Sequence, residues 1–156
     1  VRPALRLAAA LTAFTAAHSL TLALAALGAL RLPQAPVEAC IALSLVVLAR
    51  ALATGARPSS AAAWRLAGAC GLLHGLGFAG ALAEVGLPQK AIPVALLMFN
   101  VGVELGQLIF VAFALAAGAL IARLPVARPA WTDYALPYAI GAVAMFWVIE
   151  RVSGFA

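Results

Sequence analysis

Between Lys90 and Arg123 the chain runs for 32 residues with one charged side chain, Glu104. A helix needs about 20 mostly apolar residues to cross the hydrocarbon of a bilayer. In that medium each backbone amide must be paired inside the protein, which leaves helices and closed barrels as the only spanning structures. Barrel strands alternate apolar and polar residues over about ten positions, and no regular alternation of that kind occurs here. The run therefore predicts a transmembrane helix. Comparable stretches occupy most of the remaining sequence. A signal peptide accounts for one apolar stretch at an N-terminus but not for the later ones.

Composition points the same way. Of the 156 residues, 66% are hydrophobic and 10% are charged, against about 25% charged in an ordinary soluble domain. The mean hydropathy is +1.10. A net charge of +5 in a soluble protein would suggest nucleic acid as a partner. Here the ten basic residues fall mostly between apolar segments, where they set orientation and meet anionic headgroups. They do not cluster with aromatics in a polar segment, so no nucleic-acid partner is expected. The partner the composition demands is the lipid bilayer. Cys40 and Cys70 lie inside apolar segments without CxxC spacing. They read as small core-filling residues rather than as a disulfide or metal pair.

Hydropathy, prolines and charges divide the chain into about five spans, near 4–30, 37–54, 61–87, 91–124 and 134–152. Nothing resembling a soluble linker or a repeat separates them, so residues 1–156 are expected to form one transmembrane domain. The fourth span is long enough to require tilt, a kink or a projecting end. Counting alternate sides puts Arg2, Arg6, Arg50, Arg57, Arg65, Arg123 and Arg128 on the N-terminal side, and Arg31, Lys90 and Arg151 opposite. By the positive-inside rule the N-terminus is cytoplasmic and the C-terminus outside. Trp64, Trp131 and Trp147 near span ends fit interfacial anchors. The expected fold is an all-α polytopic helix bundle, N-in and C-out. Its loops are too short for an extramembrane catalytic domain, so function is expected among the helices.

An ionisable side chain at the bilayer centre costs roughly 2.5–3.5 kcal/mol on insertion scales, so each one needs a reason. The spans contain His18, Glu38, His74, Glu84, Asn100, Glu104 and Gln107, which include both histidines and three of the five acids. At a rise of about 1.5 Å per residue, His18, His74 and Glu104 each lie roughly 20 Å deep on three different spans. Glu38 and Glu84 fall near the outer surface. Asn100, Glu104 and Gln107 share an arc of about 60° on span 4, and Thr12, Thr15, His18 and Ser19 share about 120° on span 1. Each stripe must face protein or water rather than lipid. Gly68, Gly71 and Gly75 form a small-residue stripe beside His74, and Gly102 and Gly106 form a GxxxG pair opposite Glu104. Both allow close helix approach.

Imidazole with carboxylate suits first-row divalent ions such as nickel, copper, zinc or iron. The expected ligand set is His18, His74 and Glu104, with Asn100 or Gln107 adding an oxygen, and Glu38 and Glu84 as carboxylates at an outer vestibule. The ordinary alternatives are plain. His18 can hydrogen-bond Thr15 or a carbonyl, Glu104 can be a protonated helix contact, and Glu84 can be an interfacial carboxylate. Glu38 can stabilise the start of span 2 through the helix dipole. An intramembrane enzyme or cofactor protein remains the competing class. Two histidines can ligate haem, and Ser19 or Ser44 could pair with histidine in a hydrolase, although neither sits in a GxSxG setting.

Four strings also carry a resemblance. Phe14-Thr15-Ala16-Ala17-His18-Ser19-Leu20-Thr21-Leu22, Val37-Glu38-Ala39-Cys40-Ile41-Ala42-Leu43-Ser44, Gly71-Leu72-Leu73-His74-Gly75-Leu76-Gly77-Phe78-Ala79 and Phe99-Asn100-Val101-Gly102-Val103-Glu104-Leu105-Gly106-Gln107 occur in order. Over the roughly 90 residues from His18 to Gln107 the chain resembles the HupE/UreJ family of bacterial membrane proteins. The resemblance implies a hydrogenase or urease accessory role, with nickel or a related divalent ion crossing the inner membrane. In the family's better-described branch a span 1 histidine is followed by an Asp-His pair. Here Ser19-Leu20-Thr21 follows His18, so that ligand pattern is not reproduced. Relatives carry a further N-terminal extracytoplasmic region, which implies that this chain is a partial version. Five spans are few for a complete transport path, so a homo-oligomer is expected.

Overall fold

The computed structural model describes residues 3–56, 59–85, 88–123, 129 and 131–155. They form five long helices: α1 (Pro3–Ala26), α2 (Gln34–Ala53), α3 (Ser60–Val85), α4 (Ile92–Ala122) and α5 (Thr132–Ser153), with a short 3-10 turn, Gln89–Ala91, before α4. Among the described residues there is no strand. The chain is all-α.

Among the described residues four helices are long and apolar enough to cross a membrane: Leu5–Ala26 within α1, then α2, α4 and α5. The fifth expected span, α3, is 26 residues long and carries Gly68, Gly71, Gly75, Gly77 and Gly80 beside His74. The side chains of its last five residues, 81–85, lie outside the described residues.

Helix ends follow from local chemistry. α1 stops at Ala26, four residues short of the expected Leu30, because Gly28 adopts φ +77. The Gly28 amide donates to the Ala25 carbonyl at 3.0 Å and the Ala29 amide to Leu24 at 2.9 Å. This is a Schellman closure, which uses a left-handed residue that glycine adopts without penalty. Gly55, at φ +65, ends α2 in the same way, with its amide donating to Leu52 and that of Ala56 to Ala51. α2 starts at Gln34, three residues before the expected Val37. Pro36 falls within the first turn, where an amide donor has no helical partner to lose. α4 spans 31 residues, about 46 Å at helical rise, well beyond the roughly 30 Å hydrocarbon core.

The helices pack as a row in the order α4, α1, α3, α2, α5. The most extensive contact joins α1 to α3. These two run parallel, since Phe14 lies against Gly71 and His18 against Gly75. A Cβ at Gly71 would collide with the Phe14 backbone, and one at Gly75 with the His18 carbonyl and Thr21 Oγ1. Glycine therefore permits backbone-to-backbone contact here. The Thr21 hydroxyl donates across the seam to the Leu72 carbonyl at 2.8 Å. The next glycines of α3 face α2, with Gly77 against Ile41 and Gly80 against the Gln34 side chain. Gly102 and Gly106 on α4 meet nothing within 4 Å of a built Cβ, so the second small-residue pair is open. Cys40 is exposed on α2 and Cys70 half-buried on α3, both free thiols. Cys40 thus faces outward and does not fill a core.

Candidate functional site

Among the described residues His18 is the largest buried polar group, 1% exposed. Its ring lies nearly parallel to Phe14 (centroids 5.9 Å apart, 11° between planes) and to Phe99 (6.1 Å, 21°), while Phe78 meets it edge-on at 5.5 Å. Phe14 precedes His18 by one helical turn, Phe78 comes from α3 and Phe99 from α4. Among the described residues neither Nδ1 nor Nε2 of His18 has a hydrogen-bond partner. An unpaired buried polar group costs about 1–3 kcal/mol, so this placement needs compensation from something that approaches a ring nitrogen.

His74, half-buried on α3, shares Phe14 with His18, its ring edge-on to that phenylalanine at 5.4 Å. Its Nδ1 lies 2.8 Å from the Cys70 carbonyl. A carbonyl only accepts, so Nδ1 carries the proton and the Nε2 lone pair is left available. Metal-binding histidines are commonly held in this way, with a backbone carbonyl fixing the tautomer and ring orientation.

A second polar group lines the α1–α4 contact. Ser19 Oγ lies 2.6 Å from Asn100 Oδ1 and 2.7 Å from the Thr15 carbonyl, with one proton between these acceptors. The Asn100 amide nitrogen donates to the Leu96 carbonyl at 2.8 Å. The Thr15 hydroxyl donates to Gln107 Oε1 at 3.3 Å. Glu104 is exposed and lines a small cavity with Thr12, Thr15 and Gln107.

A third group holds one end of the molecule. Glu38 pairs with Arg151 Nε at 2.7 Å, joining α2 to α5. Gln34 Nε2 donates to Glu38 Oε1 at 3.3 Å and to the Gly77 carbonyl at 2.6 Å, which adds α3. Glu84 is in the last turns of α3, but its side chain lies outside the described residues.

The residues expected to act together are thus distributed. His18 and His74 share one aromatic wall, Asn100, Glu104 and Gln107 line the α1–α4 seam, and Glu38 serves an interhelical ion pair. Among the described residues no three histidine, cysteine, aspartate or glutamate side chains converge as a metal site. The three phenylalanines and Arg151 were not singled out from sequence. A signal for two of them was present: Phe14 precedes His18 by four residues and Phe78 follows His74 by four, which stacks them along one helix face.

The family model described as HupE / UreJ protein matches residues 2–151. The chain belongs to the HupE/UreJ family. The match covers nearly the whole chain and takes in all the polar groups above, so the histidine pair and the α1–α4 seam both lie inside the family unit. Neither the curated proteins nor the solved structures contain a match to this HupE/UreJ chain.

Proposed function

We propose that this HupE/UreJ chain moves a divalent d-block cation, nickel first, across the bacterial inner membrane in support of metalloenzyme maturation. One observation carries the reading: a fully buried imidazole, His18, has both ring nitrogens unpartnered among the described residues. Its neighbour His74 has a tautomer that leaves Nε2 free. Imidazole nitrogen is a ligand that nickel, copper and zinc accept, and the family match supports metal handling. In this proposal His18 and His74 form the narrow part of the path. Glu84 and Glu38 lie toward the outer end, and Glu38 accepts the cation by releasing Arg151. Asn100, Glu104 and Gln107 add oxygens along the adjoining α1–α4 seam.

The asymmetry of Arg and Lys between the two sides supports an N-in, C-out orientation. A homo-oligomer belongs to the proposal because the row of helices does not close on itself among the described residues, α4 and α5 having no mutual contact.

The test is uptake of radioactive nickel into proteoliposomes containing the purified chain, with His18→Ala and His74→Ala beside the parent. Uptake is expected to fall at least tenfold in both, about 1.4 kcal/mol or more of lost stabilisation. Parent-like uptake in both variants would sink the ligand assignment. An absorbance spectrum of the same preparation separates the competing cofactor reading, since bound haem shows a Soret band.

A further inference from the structure

We propose that the cleft between α1 and α4 is a site for a hard monovalent cation, sodium, distinct from the histidine pair. The cavity measures about 90 Å³ and is lined by Thr12, Thr15, Glu104 and Gln107, with Leu11 and Leu108 among its apolar walls. The groups offered are two hydroxyls, one amide carbonyl and one carboxylate. A set of oxygens alone suits hard cations, whereas imidazole and thiolate select softer d-block ions.

Charge decides the valence. Glu104 is the one ionisable side chain in the lining, so a monovalent ion is neutralised there and a divalent ion would leave a net charge within the apolar thickness of the bilayer, which is costly. Glu104 makes no hydrogen bond or ion pair with another described residue. A bare carboxylate at this depth needs a counter-charge.

Position and geometry agree. Gln107 is the sixteenth of the 31 residues of α4, and Thr15 the thirteenth of the 24 in α1. Both therefore mark the middle of their helices, the depth at which transporters hold coupling ions. The Thr15–Gln107 contact is long at 3.3 Å. A threonine hydroxyl can turn its proton to the carbonyl four residues back on its own helix, here Leu11. That rotation leaves the oxygens of Thr15 and Gln107 facing the cleft together. Sodium bound there couples its own gradient to movement of α4 against α1.

The experiment is thermal unfolding of the full chain in detergent micelles, titrated with sodium chloride against choline chloride at constant ionic strength. A ligand that binds the folded state raises its stability in a saturable way, so the parent is expected to gain several degrees in sodium. Glu104→Gln is expected to abolish the shift, and Thr15→Val to weaken the half-saturating concentration severalfold. If Glu104→Gln does not fold, Thr15→Val and Thr12→Val carry the test. His18→Phe is expected to keep the sodium shift while losing any shift caused by nickel, which separates this inference from the metal-transport reading. No sodium-specific shift in the parent, or one that survives unchanged in both Glu104→Gln and Thr15→Val, would overturn the proposal.

Discussion

At the scale of single residues, His18 shows how function and stability can be pulled apart. Its ring is packed as a phenylalanine would be, between Phe14 and Phe99, yet it carries two polar nitrogens that no described residue pairs. Replacing it with phenylalanine removes an unsatisfied group worth about 1–3 kcal/mol at similar shape. His18→Phe is therefore expected to match or exceed the parent in thermal stability while losing nickel uptake. His18→Ala is expected to lose about 3 kcal/mol, because it leaves a void among three aromatic rings. Denaturation of both variants in micelles checks the pair, and a destabilised His18→Phe would show that the imidazole has a structural partner after all. That His18 must face protein rather than lipid was legible from its place in an apolar run, and it is buried. Its aromatic cage was not, since Phe78 and Phe99 come from other helices.

At the scale of elements, α3 organises the row by presenting glycines to both neighbours. Gly71 and Gly75 admit the α1 backbone, while Gly77 and Gly80 admit side chains of α2. Valine at Gly71 or Gly75 is expected to cost about 3 kcal/mol, since the obstacle is backbone that cannot rotate away. Alanine at Gly102 or Gly106 is expected to stay within about 1 kcal/mol of the parent, because those positions are open. Parallel unfolding curves for the four variants test the contrast. Sequence alone made the two stripes look equivalent, because small-xxx-small spacing says that close approach is permitted and not that a partner arrives. The end of α2 beside Gly55 was legible, at Ala53 against the expected Thr54. The early stop of α1 at Gly28 was missed because its neighbours are as apolar as the span itself.

At the scale of the whole molecule, the ion pair between Glu38 and Arg151 ties the last helix to the second. Both side chains are partly exposed, so the pair is expected to contribute no more than about 1 kcal/mol. A double-mutant cycle with Glu38→Gln and Arg151→Ala measures it, and a much larger coupling would mean that the pair is shielded from water in the assembled protein. Orientation is also tested at this scale. A reporter fused after Ala156 is expected to be active on the outer side, and activity on the cytoplasmic side would reverse the charge-based topology.

The long apolar run that ends at Arg123 was sufficient by itself to establish helices in a membrane, because a bilayer offers no partner for an unpaired amide. The identity of the polar residues within the apolar helices followed from the same runs. Which of those residues meet was decided only by tertiary packing. His18, His74 and Glu104 were expected at one depth, and depth is a coordinate along each helix. Their separation into a histidine pair beside Phe14 and a carboxylate in the α1–α4 cleft depends on the order and rotation of the helices across the membrane. Those are set by glycine contacts between residues more than 50 positions apart, such as Phe14 with Gly71, and helical periodicity within a single span carries no information about them.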